Sequence, residues 1–330
     1  MADYTGTSDL TGAIPTFYHK KFLERLVQVG MPAMEIVKKE SLPEGNGIVA
    51  YWARQTNNTT TLSALRVHYS AGREPIGNEN VTSAQVSATI EKYAYSVGLN
   101  DITEMAAIND TITETVQNNA DQAANVVDKR ILEEAWGTSA TAYGGGFSMF
   151  FYNTVGTADL NTSTSAGFTY AGTTEYGIAA STIRSAVAKL RTRKVPTFDD
   201  GNYRMIVHPN TALKLQADTT YGNAYIYTDP SGIRKGEPKP YAGVIFIQDT
   251  NIMTSANGSN GATLYYSVIA GKGALGATEL IKGVKSYTVS GADKYDPVDE
   301  VTSVGWKVAF ATARLNVSSG LVVITADGNI

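Results

Sequence analysis

His208 ends the apolar run Met205-Ile206-Val207 and is followed at once by Pro209. An imidazole at a strand tip is a place from which enzymes move protons. A hydrolytic triad also needs a nucleophile on a strained turn and an orienting carboxylate, and the chain has no G-x-S-x-G. Sterics hold a residue before proline extended, and proline favours the first position of a helix. HPNTALKLQ therefore predicts a strand end passing into a short amphipathic helix. His19 and His68, the other histidines, fall in polar arms.

Gly271–Gly276, GKGALG, fits G-x-G-x-x-G behind the apolar LYYSVIA. A dinucleotide site needs a long helix next, whose N-terminus holds the pyrophosphate. ATELIK gives only about a turn and a half before Gly283, so the expectation is a glycine-rich strand connection. Carboxylates pair at Glu133–Glu134, Asp199–Asp200 and Asp299–Glu300, none at the spacing of a helical, histidine-containing metal motif. All three read as solvated surface, with Asp199 and Asp200 also candidates for contact with a neighbouring subunit. With no cysteine, thiolate chemistry and disulfides are excluded. No catalytic residue, cofactor or metal ligand is expected.

The chain of 330 residues can hold two domains or one elaborate one. A formal net charge of −4 offers no basic footprint for gripping a phosphate backbone. No window approaches 18 consecutive apolar residues, so no membrane span is expected. The N-terminus lacks the basic start and apolar stretch of a secretory signal.

The elements that would position these residues follow from periodicity. Residues 1–45 read as an arm, in which Tyr18, Phe22, Leu26 and Val29 recur at near-helical spacing before Gly30 and Pro32. Residues 46–100 hold the strand candidate NGIVAYWAR, about thirty polar residues, and then alternating QVSATIE. A phase shift at Lys92 moves the apolar set to Tyr93, Tyr95 and Val97 and suggests a bulge or twist. A connection that polar is out of place inside a compact domain. It predicts a two-stranded arm that projects from the body and is stabilised by something outside it. Residues 101–136 carry one apolar stripe from Ile102, Met105 and Ile108 through Val116, Ala120, Ala123, Val127 and Ile131 to Ala135, with no Pro or Gly. Asp101 and Glu104 have capping-box spacing. A single spine helix of about 54 Å is expected. Residues 138–177 are turn-rich, an insertion or hairpins. Residues 178–196 form a second helix with Ile183, Val187 and Leu190 inward, and strands follow to the end.

This order of arm, long loop, spine and α+β module resembles the major capsid protein of tailed bacteriophages, a fold shared with the herpesvirus capsid floor and with encapsulins. The most specific part is RMIVHPNTALKLQADTTYGNAYIYTDPSGIRKGEPKPYAGVIFIQDTNI, residues 204–252, which is similar to that family's axial domain. DKYDPVDEVTSVGWKVAFATARLNVSSGLVVI resembles the closing strands of its peripheral domain. TGAIPTFYHKKFLERL, with the spine and this ending, looks like the subfamily named after the phage N-four coat protein. The resemblance implies an α+β chain divided into an N-terminal arm (1–45), an extended two-stranded loop (46–100), a peripheral domain (101–202), an axial domain (203–292) and closing peripheral strands (293–330).

The resemblance further implies a structural, non-enzymatic chain that assembles with itself as hexamers and pentamers into an icosahedral shell around packaged double-stranded DNA. The shell is the virion capsid, built in the host cytoplasm. Partners would be a separate scaffolding protein, a portal and a decoration protein. An encapsulin-type nanocompartment of the same fold is the alternative. Candidate inter-subunit residues are Arg66, Arg73, Glu74, Glu79 and Lys92 on the loop, Asp199 and Asp200, and Arg234 and Lys235. For the loop charges a solvated face is the competing reading. Some relatives join subunits by Lys–Asn bonds; Lys92 is the loop's only lysine, and no Asn partner or catalytic Glu can be placed for it.

Overall fold

Asp110 starts the long helix of this chain, and it does so with its side chain. In the computed structural model, the described residues are 13–40, 47–55, 83–107, 109–137, 147–151, 177–226, 236–255, 263–278, 283–290 and 300–327. The expected spine of residues 101–136 is two helices, α2 (Asp101–Ala106) and α3 (Thr111–Trp136). The Asp110 carboxylate accepts the Thr113 N–H at 3.1 Å and the Thr113 hydroxyl, closing the N-terminus of α3. That local bond competes with helix continuation, and Asp is a poor helix interior residue for this reason. The cap of α2 is Asn100, which accepts the Ile102 N–H, rather than the expected Asp101. Ile102 and Met105, expected to begin the buried stripe, are instead exposed. At 1.5 Å per residue α3 is about 39 Å long.

Val116, Ala120, Ala123, Val127, Ile131 and Ala135 make the buried stripe of α3, as the spacing predicts. Its alanines let neighbours approach closely. On it packs the first helix, α1 (Ala13–Val29), through Phe22 and Leu26, pinned by the fork of Arg25 on Asp121 at 2.7 and 2.9 Å. Beside them lies an antiparallel sheet of β11 (Lys285–Val289), β12 (Val301–Phe310) and β4 (Glu91–Asn100). Its inward row, Val304, Trp306, Val308 and Phe310, joins the same core. Buried polar groups are matched across this contact: Asn119 donates to the Val304 carbonyl, and the Trp306 indole donates to Gln122.

The second large layer is a six-stranded mixed sheet in the order β5 (Ser148–Phe151), β14 (Gly320–Asp327), β9 (Thr263–Ala270), β6 (Tyr203–Val207), β7 (Val244–Gln248), with β8 (Thr254–Ser255) beside β9. Side chains alternate between its two faces. Leu264, Tyr266, Val268, Ile206, Val322 and Ile324 join the spine core. Met205, Val207, Ile269, Leu321 and Val323 face a separate core with α4 (Ala180–Thr192), α5 (Pro209–Ala217) and α6 (Thr219–Ile226). Burial on both sides explains why TLYYSVIA has no polar alternation.

This packing crosses the expected boundaries. The second helix, α4, was grouped with the spine; its Ile183, Val187 and Leu190 are buried as expected, but in the core of the 203–292 module. β14, grouped with the closing peripheral strands, pairs along its whole length with β9 in the middle of that module's sheet. Of the expected insertion 138–177, only residues 147–151 and 177 are described, and β5 pairs in parallel with β14.

A small sheet, β1 (Val37–Glu40), β10 (Leu275–Thr278) and β13 (Thr312–Arg314), links the arm to the body. Against β13 rests the base of a two-stranded antiparallel ribbon, β2 (Val49–Gln55) and β3 (Ser83–Thr89), through Ala50, Trp52, Val86 and Ala88. Residues 56–82, between its strands, lie outside the described residues. The chain passes from β3 through Ile90 into β4, which pairs with β12 instead of β2, and this change of partner accounts for the phase shift at Lys92.

Candidate functional site

His208 is the N-cap of α5: its Nδ1 accepts the Asn210 N–H at 3.2 Å, so that nitrogen carries no proton. The ring lies 4.6 Å from Tyr265, whose hydroxyl accepts from the Asn210 amide at 2.9 Å. Burial lowers its pKa, with the charge of Asp249 acting the other way. A neutral, capped imidazole packed on a phenol is a structural part. The GKGALG stretch is the tight connection between β9 and β10. A Cβ at Gly271 would sit 2.4 Å from Val195 and 2.6 Å from the Pro196 carbonyl, so the backbone approach requires glycine.

Two of the three carboxylate pairs are held by local cations. Glu133 and Glu134 surround Arg130 at 3.4 and 3.3 Å, with Glu91 of β4 at 3.4 Å. Burial raises the pKa of Glu134, and Arg130 and Arg314 oppose that shift. Burial also pushes Tyr93, hydrogen-bonded to Glu91, up to about 12. Asp199 bonds Lys272, and Asp200 lies 3.8 Å from Arg204 while accepting the Asn202 N–H. Glu300 lends its carbonyl to the Asp101 N–H, and Asp299 lies outside the described residues. Among the described residues no group of three or more His, Asp or Glu could hold a metal ion, and no helix is long and apolar enough to cross a membrane.

Lys92 is exposed on the face of β4 turned away from the spine. The register puts it with Ala94 and Ser96, with Ser303, Gly305 and Lys307 of β12, and with Lys285, Tyr287 and Val289 of β11. Lys307 sits 4.6 Å over the Tyr287 ring, and a hydrogen bond from Lys307, with the charges of Lys307, Lys285 and Lys92, lowers the pKa of Tyr287. This face carries three lysines among small residues, and no carboxylate stands in those rows.

Apolar side chains stand open elsewhere. On α1, Phe17, Leu23 and Val27 face outward, Val27 at 81% exposure. On α2, Ile102 and Met105 are 75% and 76% exposed. Ile48 and Tyr51 are exposed at the ribbon base. Arg66, Arg73, Glu74, Glu79, Arg234 and Lys235 lie outside the described residues. The outward set on α1 was missed in sequence, although Leu23 and Val27 form a second i,i+4 apolar pair beside the inward one. Lys285 and Lys307 were missed because only strand register makes them neighbours of Lys92.

The sequence matches no family model and no curated protein. Its structure is similar to the head of Helicobacter pylori bacteriophage KHP40, at 12% identity over 90% of this chain and 92% of that one, with a TM-score of 0.62. It is also similar to the capsid of cyanophage Pam1, at 14% identity over 87% of each chain and a TM-score of 0.61. A virus-like particle from Pyrococcus furiosus matches at 9% identity over 93% of this chain and 98% of that one, with a TM-score of 0.50. Spine, ribbon and two-faced sheet together give this chain the α+β fold of these phage head and capsid chains.

Proposed function

We propose that this chain is a shell-forming major capsid protein of a tailed phage. The observation that carries the reading is the match along about nine-tenths of both chains to phage head and capsid proteins. Open apolar side chains on α1 and α2 support it, because an isolated subunit leaves them in water. Copies join as hexamers and pentamers, and closed symmetry multiplies weak contacts into a stable shell. The extended loop, roughly 46–100, lies on one neighbour, with Arg66, Arg73, Glu74, Glu79 and Lys92 as contacts, and the N-terminal arm with α1 clasps another. Asp199, Asp200, Arg234 and Lys235 contribute at further subunit boundaries. The content is double-stranded DNA, which a chain of net charge −4 does not grip. A scaffolding protein, a portal and a decoration protein act with it, and assembly takes place in the host cytoplasm before the shell becomes the virion.

Negative-stain microscopy of the expressed protein tests the reading. Closed shells or rings of six and five are expected, and a dispersed monomer at micromolar concentration would remove it. A variant with residues 56–82 replaced by Asn-Gly, a two-residue hairpin turn, is expected to fold and yet form no closed shell. An encapsulin-type compartment is the second reading, favoured by the match that spans 98% of the virus-like-particle chain. Particles from the native source holding a protein cargo and no DNA would select it.

A further inference from the structure

Asp128 stands in the middle of the buried stripe of α3, 1% exposed, between Val127 and Ile131. One oxygen accepts the Ala33 N–H of the arm at 2.7 Å. The other faces the loop that leaves β7, where Asp249 is 6% exposed and Asn251 donates its amide to Asp128 at 3.4 Å and to Asn125 at 3.1 Å. Asp249 Oδ1 accepts the Asn251 N–H at 2.8 Å, while Asp249 Oδ2 is buried with no donor reaching it among the described residues. Two carboxyl groups thus meet in the interior. Among the described residues no Lys or Arg pairs with either: Arg204 is turned to Glu35 and Asp200, and His208, which feels the charge of Asp249, is neutral. Two adjacent buried carboxylates cannot both stay charged. A cation fits poorly, because the surrounding donors, Ala33 N–H and the Asn251 amide and N–H, present positive ends to the same space.

We propose that Asp128 keeps its proton where it faces Asp249, and that this proton latches the spine helix to the exit loop of β7. While it is held, the Asp128 carboxyl O–H donates to Asp249 Oδ2, which completes the set of partners. When it passes to solvent base, the two carboxylates repel and residues 250–252 of the loop lift from α3. Asp128 keeps the Ala33 N–H, which favours its charged form, so the arm stays on the spine and the joint opens on the loop side only. Among the described residues the loop's backbone is tied to the sheet at its two ends, by the Asp249 N–H on the Val207 carbonyl and the Tyr266 N–H on the Met253 carbonyl, so residues 250–252 between them can move while the inner pairing holds. Burial first, then the hydrogen bond and charge of Asp249, push Asp128 up to about 8, which places opening on the alkaline side of neutrality. The folded chain binds this proton more tightly than the unfolded one. The stability it confers is therefore complete below the ordinary Asp range and is lost as pH rises through about 8.

Hydrogen–deuterium exchange on the full-length protein tests the latch, with labelling times scaled to the intrinsic rate at each pH. Between pH 6.5 and 9.0, amides in 250–252 are expected to lose at least tenfold more protection than those of β9. In Asp128→Asn, which keeps the donor without the charge, that excess is expected to fall below twofold. Equal loss in the loop and β9 of the wild type overturns the proposal, as does an undiminished excess in Asp128→Asn. Asp249→Asn serves as the second variant, with the same expected and contrary results. Restoration of loop protection at pH 9.0 by 5 mM calcium chloride would make the pair a cation site and also overturn the proposal.

Discussion

Trp136 and Trp52 are both buried, yet their indoles are treated differently. Trp136 Nε1 donates to the Tyr266 carbonyl at 3.0 Å, whereas Trp52 Nε1 meets no acceptor among the described residues. Replacement by Phe removes the same volume from each site but a hydrogen bond from only one. Trp136→Phe is therefore expected to cost about 1 kcal/mol more than Trp52→Phe in urea unfolding; equal losses would show that Trp52 is satisfied elsewhere. Residue roles were legible where they are local. Proline after His208 fixes an extended residue and a helix start from sterics alone. The Asp128–Asp249 contact was not legible, because it joins a helix to a loop distant in the chain. The only sign in sequence is a carboxylate sitting within an apolar stripe.

At the scale of elements, period sets type and caps set ends. The stripe from Val116 to Ala135 was readable because α3 must cover a sheet on that side, and a 3.6-residue repeat is how a helix does so. The break at Ala107–Asp110 was hidden, since Ile102 and Met105 continue the same repeat into a helix with nothing of its own to bury. Capping decides that end. Asp110→Ala, which removes both bonds to Thr113, is expected to cost about 1 kcal/mol. The Asp110 pKa is lowered by those bonds, the Thr113 hydroxyl first. The wild-type advantage should be present above the ordinary Asp range and fade as pH falls through the lowered value, while Asp110→Ala shows no such loss. Thermal melts at pH 7 and pH 3 measure both. The allocation of α4 and β14 could not be read, because periodicity shows which face of an element is buried and not which neighbour buries it.

The molecule as a whole has cores on both sides of one sheet and apolar residues left over on its periphery. If α1 docks on a neighbour, Leu23→Glu with Val27→Glu should leave the melting temperature within about 3 °C, since both side chains are exposed. The same pair should abolish shells by microscopy; normal shells would remove α1 from the contact. The fold class was readable because element order survives where residue identity does not. What could not be read is the surface, where strand register gathers Lys92, Lys285 and Lys307. The position of β14 carries one more implication, for synthesis. It lies between β5 and β9, and every other strand of that sheet precedes it in the chain. A nascent polypeptide emerging from the ribosome holds β5 and β9 apart, with an open gap between them, until residues 320–327 arrive. Prematurely terminated copies thus cannot complete either core, and translation itself screens which copies of the chain can fold.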